Sequence, residues 1–214
     1  MQVLVNEKPL MTPGRLPLEV PTKLLADAIA EEWADGFKAG YEGKMLTSLA
    51  STAIDRIPQC RDVVITQLAR ICENDQLLSW VDQPDDLVQM QEVQWRPLIQ
   101  AVNKQLDLDL KHRIDLSIPA MPSVVEVRLM QWCECMDNFQ LAGFSYMVEL
   151  CHSFVLSYCL VSEELADPLQ AWEIAELHEN YQAKRWGNDA EAAERSIKIR
   201  DDFVKSVQFF QLCK

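Results

Sequence analysis

The sequence predicts an α+β protein, with a small N-terminal α+β domain of short strands followed by a larger, mostly α-helical domain. Three observations carry that prediction. Pro13, Pro17 and Pro21 cut the first twenty residues into short β-prone pieces. After Pro21, apolar residues recur at three- and four-residue spacing along most of the chain. The 214 residues, 49% hydrophobic and 25% charged, have ordinary globular composition and are enough to bury roughly 70% of the unfolded surface.

Val3-Leu4-Val5 reads as a first strand, Asn6-Glu7-Lys8-Pro9 as a turn and Leu10-Met11 as the start of a return strand. Leu16–Val20 offers a third extended piece. Thr22 can cap a helix carrying Leu24, Leu25, Ala28, Ile29 and Trp33. A second helix over Leu46–Ile57 is closed by Pro58, a third runs from about Arg61 to Ile71, and Leu77–Val81 reads as a short strand. Asp85–Leu106 is helical with a kink at Pro97. Leu106–Ser117 alternates apolar and polar residues, which predicts a strand that needs a partner from elsewhere. Helices then cover about Ser123–Asp137, Leu141–Val161, Pro168–Trp186 and Asp189–Leu212. The expected domains are 1–83 and 84–214, with the strand near 106–117 able to pair back across the boundary.

Composition excludes several functions. A net charge of −13, with only Lys184-Arg185 and Lys198 with Arg200 as basic clusters, is the wrong sign for a nucleic-acid partner. Leu141–Val161 is apolar, but Glu149 and His152 lie near its middle, where charge costs about 2.5–3.5 kcal/mol in a bilayer. It is expected to be a buried helix, without membrane insertion. The seven cysteines are odd in number, and Met1–Leu10 carries no signal-peptide pattern, so free thiols in a reducing compartment are expected. None of the six glycines forms a phosphate loop, and no cofactor is expected. Cys133 and Cys135 would point about 200° apart on a helix, so no metal is expected. His112, His152 and His178 fall on three elements, with no recognisable nucleophile motif. The chain reads as a non-enzyme.

The segment Pro168–Trp186 stands out. On one continuous helix, Trp172, Ala175, Glu179, Gln182 and Trp186 share a stripe, while Ile174, Leu177 and Tyr181 form an apolar stripe opposite. An exposed stripe with a carboxylate and an amide between tryptophans has the composition of a protein-binding face. The rival reading buries both stripes and satisfies Glu179 inside. With Glu176, which opens the block Glu176–Asp189, the candidate partner-binding residues are Trp172, Glu176, Glu179, Gln182 and Trp186.

Two blocks match a known family. Glu179-x-x-Gln182-x-x-x-Trp186-Gly187-x-Asp189-x-Glu191 and Leu46-Thr47-x-Leu49-Ala50-x-Thr52-Ala53-Ile54-Asp55-Arg56 resemble the signatures of the ATP synthase alpha-subunit assembly chaperones of mitochondria and alphaproteobacteria. Val3–Thr12, Leu18-x-Val20-Pro21-Thr22 leading into Ala28–Trp33, and Gln91-x-x-x-Trp95-x-Pro97-Leu98 follow the same family order over nearly the whole chain. Asp75-Gln76-Leu77-Leu78-Ser79-Trp80 departs from the family's Asp-Leu-Leu-Cys-Tyr.

The resemblance implies a chaperone that binds the unassembled alpha subunit and shields its interface until the beta subunit replaces it, without hydrolysing ATP. The alternative is an adaptor or chaperone with a different client. Within the motif, Glu179 is expected as a polar contact and Trp186 as an anchor or a support. Gly187 is expected to end the helix in a left-handed conformation, with Asp189 or Asn188 capping the next. Asp55 and Arg56 have two readings: part of a recognition face, or a salt bridge tying the domains together. Without a visible presequence the expected compartment is a bacterial cytoplasm, or the mitochondrial matrix if a presequence is missing from this chain.

Overall fold

The computed structural model describes residues 1–34, 43–114, 121–187 and 190–214. The N-terminus is a hairpin of β1 (Leu4–Val5) and β2 (Lys8–Pro9), paired antiparallel with Leu4 opposite Pro9 and Val5 opposite Lys8. Asn6 and Glu7 both have positive φ (52° and 64°), the two-residue type I′ turn whose twist matches paired strands. The return strand therefore begins at Lys8, earlier than the expected Leu10. The third piece lies across both: Val3 N–H donates to the Leu18 carbonyl (3.0 Å) and Leu18 N–H to the Leu10 carbonyl (2.8 Å).

Helix α1 (Lys23–Glu32) starts at Thr22, whose hydroxyl accepts from Leu25 N–H at 3.2 Å. Next come α2 (Met45–Asp55) and α3 (Ile57–Glu73). Pro58 lies in the first turn of α3 rather than closing α2, because its missing N–H would be unpaired there in any case. The expected strand at Leu77–Val81 is instead a 3₁₀ turn over Gln76–Leu78, followed by Ser79 in a single parallel bridge to Arg113. That bridge is also the only β pairing in the described part of the expected strand Leu106–Ser117. Leu106 ends a helix, Asp107 turns left-handed (φ 50°), and the Asn103 side chain holds Leu110 through both its amide groups. Residues 115–117 lie outside the described residues.

Helices α4 (Asp85–Gln94) and α5 (Arg96–Leu106) replace the kinked helix. Pro97, with no N–H to donate, falls in the first turn of α5. The remaining helices are α6 (Ser123–Glu134), α7 (Asn138–Cys151), α8 (Phe154–Val161), α9 (Pro168–Ala175), α10 (Leu177–Trp186) and α11 (Ala190–Leu212). The apolar run Leu141–Val161 is thus two helices, not one. His152 turns left-handed (φ 48°) and the Ser153 hydroxyl caps α8 by accepting from Leu156 N–H. No helix among the described residues is long and apolar enough to cross a membrane.

Buried side chains form two clusters. The small one joins Val3, Val5, Leu10, Leu18 and Val20 to Leu25, Ile29, Leu46 and Leu49. The large one begins at Ala53 and Ile57 and runs through α3 to α10. Helix α11 belongs to both: Phe203, Val207 and Phe210 enter the large cluster, and Phe209, with Cys213 just past the helix end, the small one. Its close approach to α7 needs Gly143, where an added Cβ would lie 2.9 Å from the Phe209 ring. This stitching anchors the C-terminal helices beside α10.

Candidate partner-binding site

The expected single helix Pro168–Trp186 breaks at Glu176, whose backbone (φ −84°, ψ 19°) ends α9 and begins α10. A constant 100° step cannot be carried across such a break. Trp172 therefore does not share a face with Trp186. It is 6% exposed and packs against Phe203, ring centroids 5.5 Å apart. As an exposed anchor Trp172 is ruled out, while Ile174, Leu177 and Tyr181 are buried as an inner face.

Within α10 the periodicity holds. Glu179, Gln182 and Trp186 are exposed on the side opposite Leu177 and Tyr181, and Trp186 is 75% exposed. The inner side is fixed to the start of α4 and to the core. Tyr181 O–H donates to Asp86 (2.7 Å), and the Arg185 guanidinium pairs with the other Asp86 oxygen (2.8 Å). The Tyr181 hydroxyl and the Arg185 charge hold the Asp86 carboxyl below the usual range. His178 meets Gln91 at 3.0 Å and the Trp95 ring at 4.8 Å, and Trp95 donates to the Ile174 carbonyl (3.0 Å). Burial pushes the His178 pKa down. A rigid inner face thus presents an aromatic and two polar side chains outward with little ordering left to do on contact.

Beside that face runs a groove of about 550 Å³ bounded by α4, α9, α10 and α11. Trp172 and Leu177 form its floor, and Leu169 and Ile197, each 50% exposed, its lips. Glu176 reaches into it, half-buried, accepting from the Ser196 hydroxyl at 3.0 Å. Burial raises the Glu176 pKa, and nearby Glu179 adds to the rise. Gly187 ends α10 with φ 90° and ψ 164°, a positive-φ extended conformation rather than the expected left-handed helical one. That region belongs essentially to glycine. Asp189 and Asn188 lie outside the described residues.

The family model for the ATP12 chaperone protein matches residues 1–103. The crystal structure of Atp12 from Paracoccus denitrificans superposes with a TM-score of 0.91 at 30% identity, covering 100% of this chain and 91% of that one. The chain belongs to the ATP12 chaperone family. The Atu1473 protein of Agrobacterium tumefaciens is similar at TM-score 0.90 and 26% identity, over 100% of this chain and 80% of its own. Protein atp12, mitochondrial, of Schizosaccharomyces pombe is 28% identical over 206 residues, 90% of this chain and 70% of that protein. This is the family whose signatures the two sequence blocks resemble.

The second block of this ATP12 family member points inward. Thr47 is fully buried, accepts from Trp33 Nε1–H (2.9 Å) and donates to Glu32 (2.7 Å). The Glu32 carboxylate also accepts from Leu46 N–H (2.8 Å) and Thr47 N–H (2.9 Å), so α1 supplies the N-terminal cap of α2. Asp55, at the other end of α2, accepts from the Thr12 hydroxyl (2.7 Å) and from Gly14 N–H (2.8 Å). Of the two readings of Asp55 and Arg56, the salt bridge is not formed among the described residues, where Arg56 is exposed and in no ion pair. Arg56 lines a hollow with Thr52, Cys60 and Glu149.

Sequence reasoning missed Glu32, Gly14 and Asp75. Asp75 is fully buried and accepts from Leu77 N–H and Val155 N–H, both at 2.9 Å, so it holds the 3₁₀ turn against the start of α8. Burial pushes its pKa up to about 6 against the pull of those donors. Its signal in the sequence was an aspartate before a short apolar run, which also describes many surface caps. Among the described residues no group of three or more His, Cys, Asp or Glu is placed to hold a metal ion.

Proposed function

We propose that this protein binds the unassembled alpha subunit of F-type ATP synthase and shields its interface until the beta subunit takes its place, without catalysing a reaction. The outer face of α10 is the contact. The observation that carries this reading is Trp186, 75% exposed and aligned with Glu179 and Gln182 on a helix whose other side is locked to α4 and the core. A large aromatic held in water gains most when a partner covers it, and the flanking carboxylate and amide give that contact direction. Membership of the ATP12 chaperone family supports the class of client. A shield of this kind must be displaceable, so its affinity has to be outcompeted by the permanent subunit contact.

The test is co-purification from the native cell, followed by capture of purified alpha subunit on immobilised chaperone. Recovery of the alpha subunit, with capture weakened at least about tenfold by Glu179→Lys, is the expected result. Recovery of a different protein in its place would assign the client to another class and sink the proposal. Unchanged capture by Glu179→Lys would remove α10 from the interface.

A further inference from the structure

The groove beside α10 has a composition that the outer stripe does not explain. Leu169 on α9 and Ile197 on α11 face the same concavity, each half exposed, above a floor of Trp172 and Leu177. Half-exposed apolar side chains from two helices lining one groove gain when a third surface fills it. Glu176 supplies the polar feature. Its carboxylate is half-buried against this apolar wall, and its hydrogen bond among the described residues comes from a neutral hydroxyl, Ser196. No ion pair among the described residues involves Glu173, Glu176 or Glu179. The cations lining the groove do not serve Glu176: Arg200 is held by Asp201 (2.9 Å), and Lys184 stands two turns further along α10. A partly desolvated carboxylate without a cation is stabilised by one arriving from outside.

We infer that the groove receives a segment of the client that presents an aliphatic side chain beside an arginine or lysine, with the aliphatic group between Leu169 and Ile197 and the cation on Glu176. This rests on the reading of the protein as an alpha-subunit chaperone and names the chemistry of the segment it holds. On α10 the groove-facing Asn180 lies next to Glu179, so groove and outer stripe form one continuous surface. The chain's net charge of −13 favours a basic segment arriving at it.

The experiment places the photo-crosslinking residue benzoylphenylalanine at position 169 or 197, and at 63 on α3 as a control outside the groove, and irradiates each with purified alpha subunit. Crosslinks from 169 and 197, but not 63, to one peptide containing an aliphatic residue next to arginine or lysine are expected. Glu176→Gln, which keeps the Ser196 bond, is expected to weaken capture about tenfold with an unchanged melting temperature. Normal capture with no crosslinks from 169 or 197 would overturn the groove assignment and leave the α10 stripe standing. A crosslinked peptide without a basic residue, or full capture by Glu176→Gln, would overturn the role of Glu176. Failure of the unmodified protein to capture the alpha subunit would overturn both readings.

Discussion

Helices α2 and α10 carry the two strongest family blocks, and they differ in where their polar side chains point. On α2, Thr47 is sealed in a network with Glu32 and Trp33, and Asp55 holds the turn at Thr12–Gly14. On α10, Glu179, Gln182 and Trp186 face water, while the groups that look inward, Tyr181 and His178, belong to no part of the motif. A family motif therefore marks positions that the family keeps in order, and burial and hydrogen bonding decide whether the fold or a client needs them. Changes in α2 should act on stability and changes on the outer face of α10 on capture.

The largest effect on stability is expected at Asp75, which turns inward like the α2 block. Its folded pKa of about 6 lies above the unfolded value of 3.8, so between those values the folded protein binds more protons than the unfolded chain. The Asp75 contribution to stability then falls as pH rises from about 4 to about 6, by about 3 kcal/mol, and is level above that range. Urea melts at intervals across this range measure it. Asp75→Asn should abolish this part of the slope, whatever its own cost in stability. A wild-type slope of the opposite sign over pH 5–6, unchanged by Asp75→Asn, would refute the assignment.

Next comes the cap of α2. Glu32→Ala strips the partner from two backbone N–H groups and from the Thr47 hydroxyl. A cost of about 2–3 kcal/mol is expected, a fall of roughly 5–10 °C in Tm for a chain of this size. Capture per folded molecule should not change, and a selective loss of capture at full stability would put α2 in the interface. At Asp55 the expected cost is smaller, about 1–2 kcal/mol for Asp55→Ala. Gly14→Ala should cost a similar amount, because its Cβ would lie 2.6 Å from Asp55 Oδ1 and must push that carboxylate off its partners. Since both substitutions break the same contact, the double variant should lose less than the sum of the two.

The helices themselves were legible because each is paced by its own apolar residues. Their breaks were less so, because the groups that fix them come from far along the chain. The run Leu141–Val161 reads as one helix until Asp75 arrives from 80 residues away to hold Val155 N–H. The cap of α2 was hidden in the same way, as Glu32 sits at the end of a different helix. In the candidate site, Glu179, Gln182 and Trp186 share an exposed face as their spacing predicts, because no break lies between them. Trp172 was misplaced because one residue with ψ of 19° resets the phase of everything beyond it. The groove was invisible for a related reason: its lips come from α9 and α11, and no local pattern pairs Leu169 with Ile197.

The smallest effect on stability, and the sharpest test of the contrast, is expected at Trp186. With 75% of its surface in water, truncation to alanine removes little that the fold uses. Trp186→Ala should keep its stability within about 0.5 kcal/mol, as other exposed substitutions do. Capture of the alpha subunit should still weaken at least about tenfold, mostly through faster dissociation, as for a buried aromatic at an interface centre. A melting curve and surface-plasmon kinetics on the same preparation separate the two. If Trp186→Ala melts early and binds normally, α10 is a structural element like α2, and the contrast between the two blocks disappears.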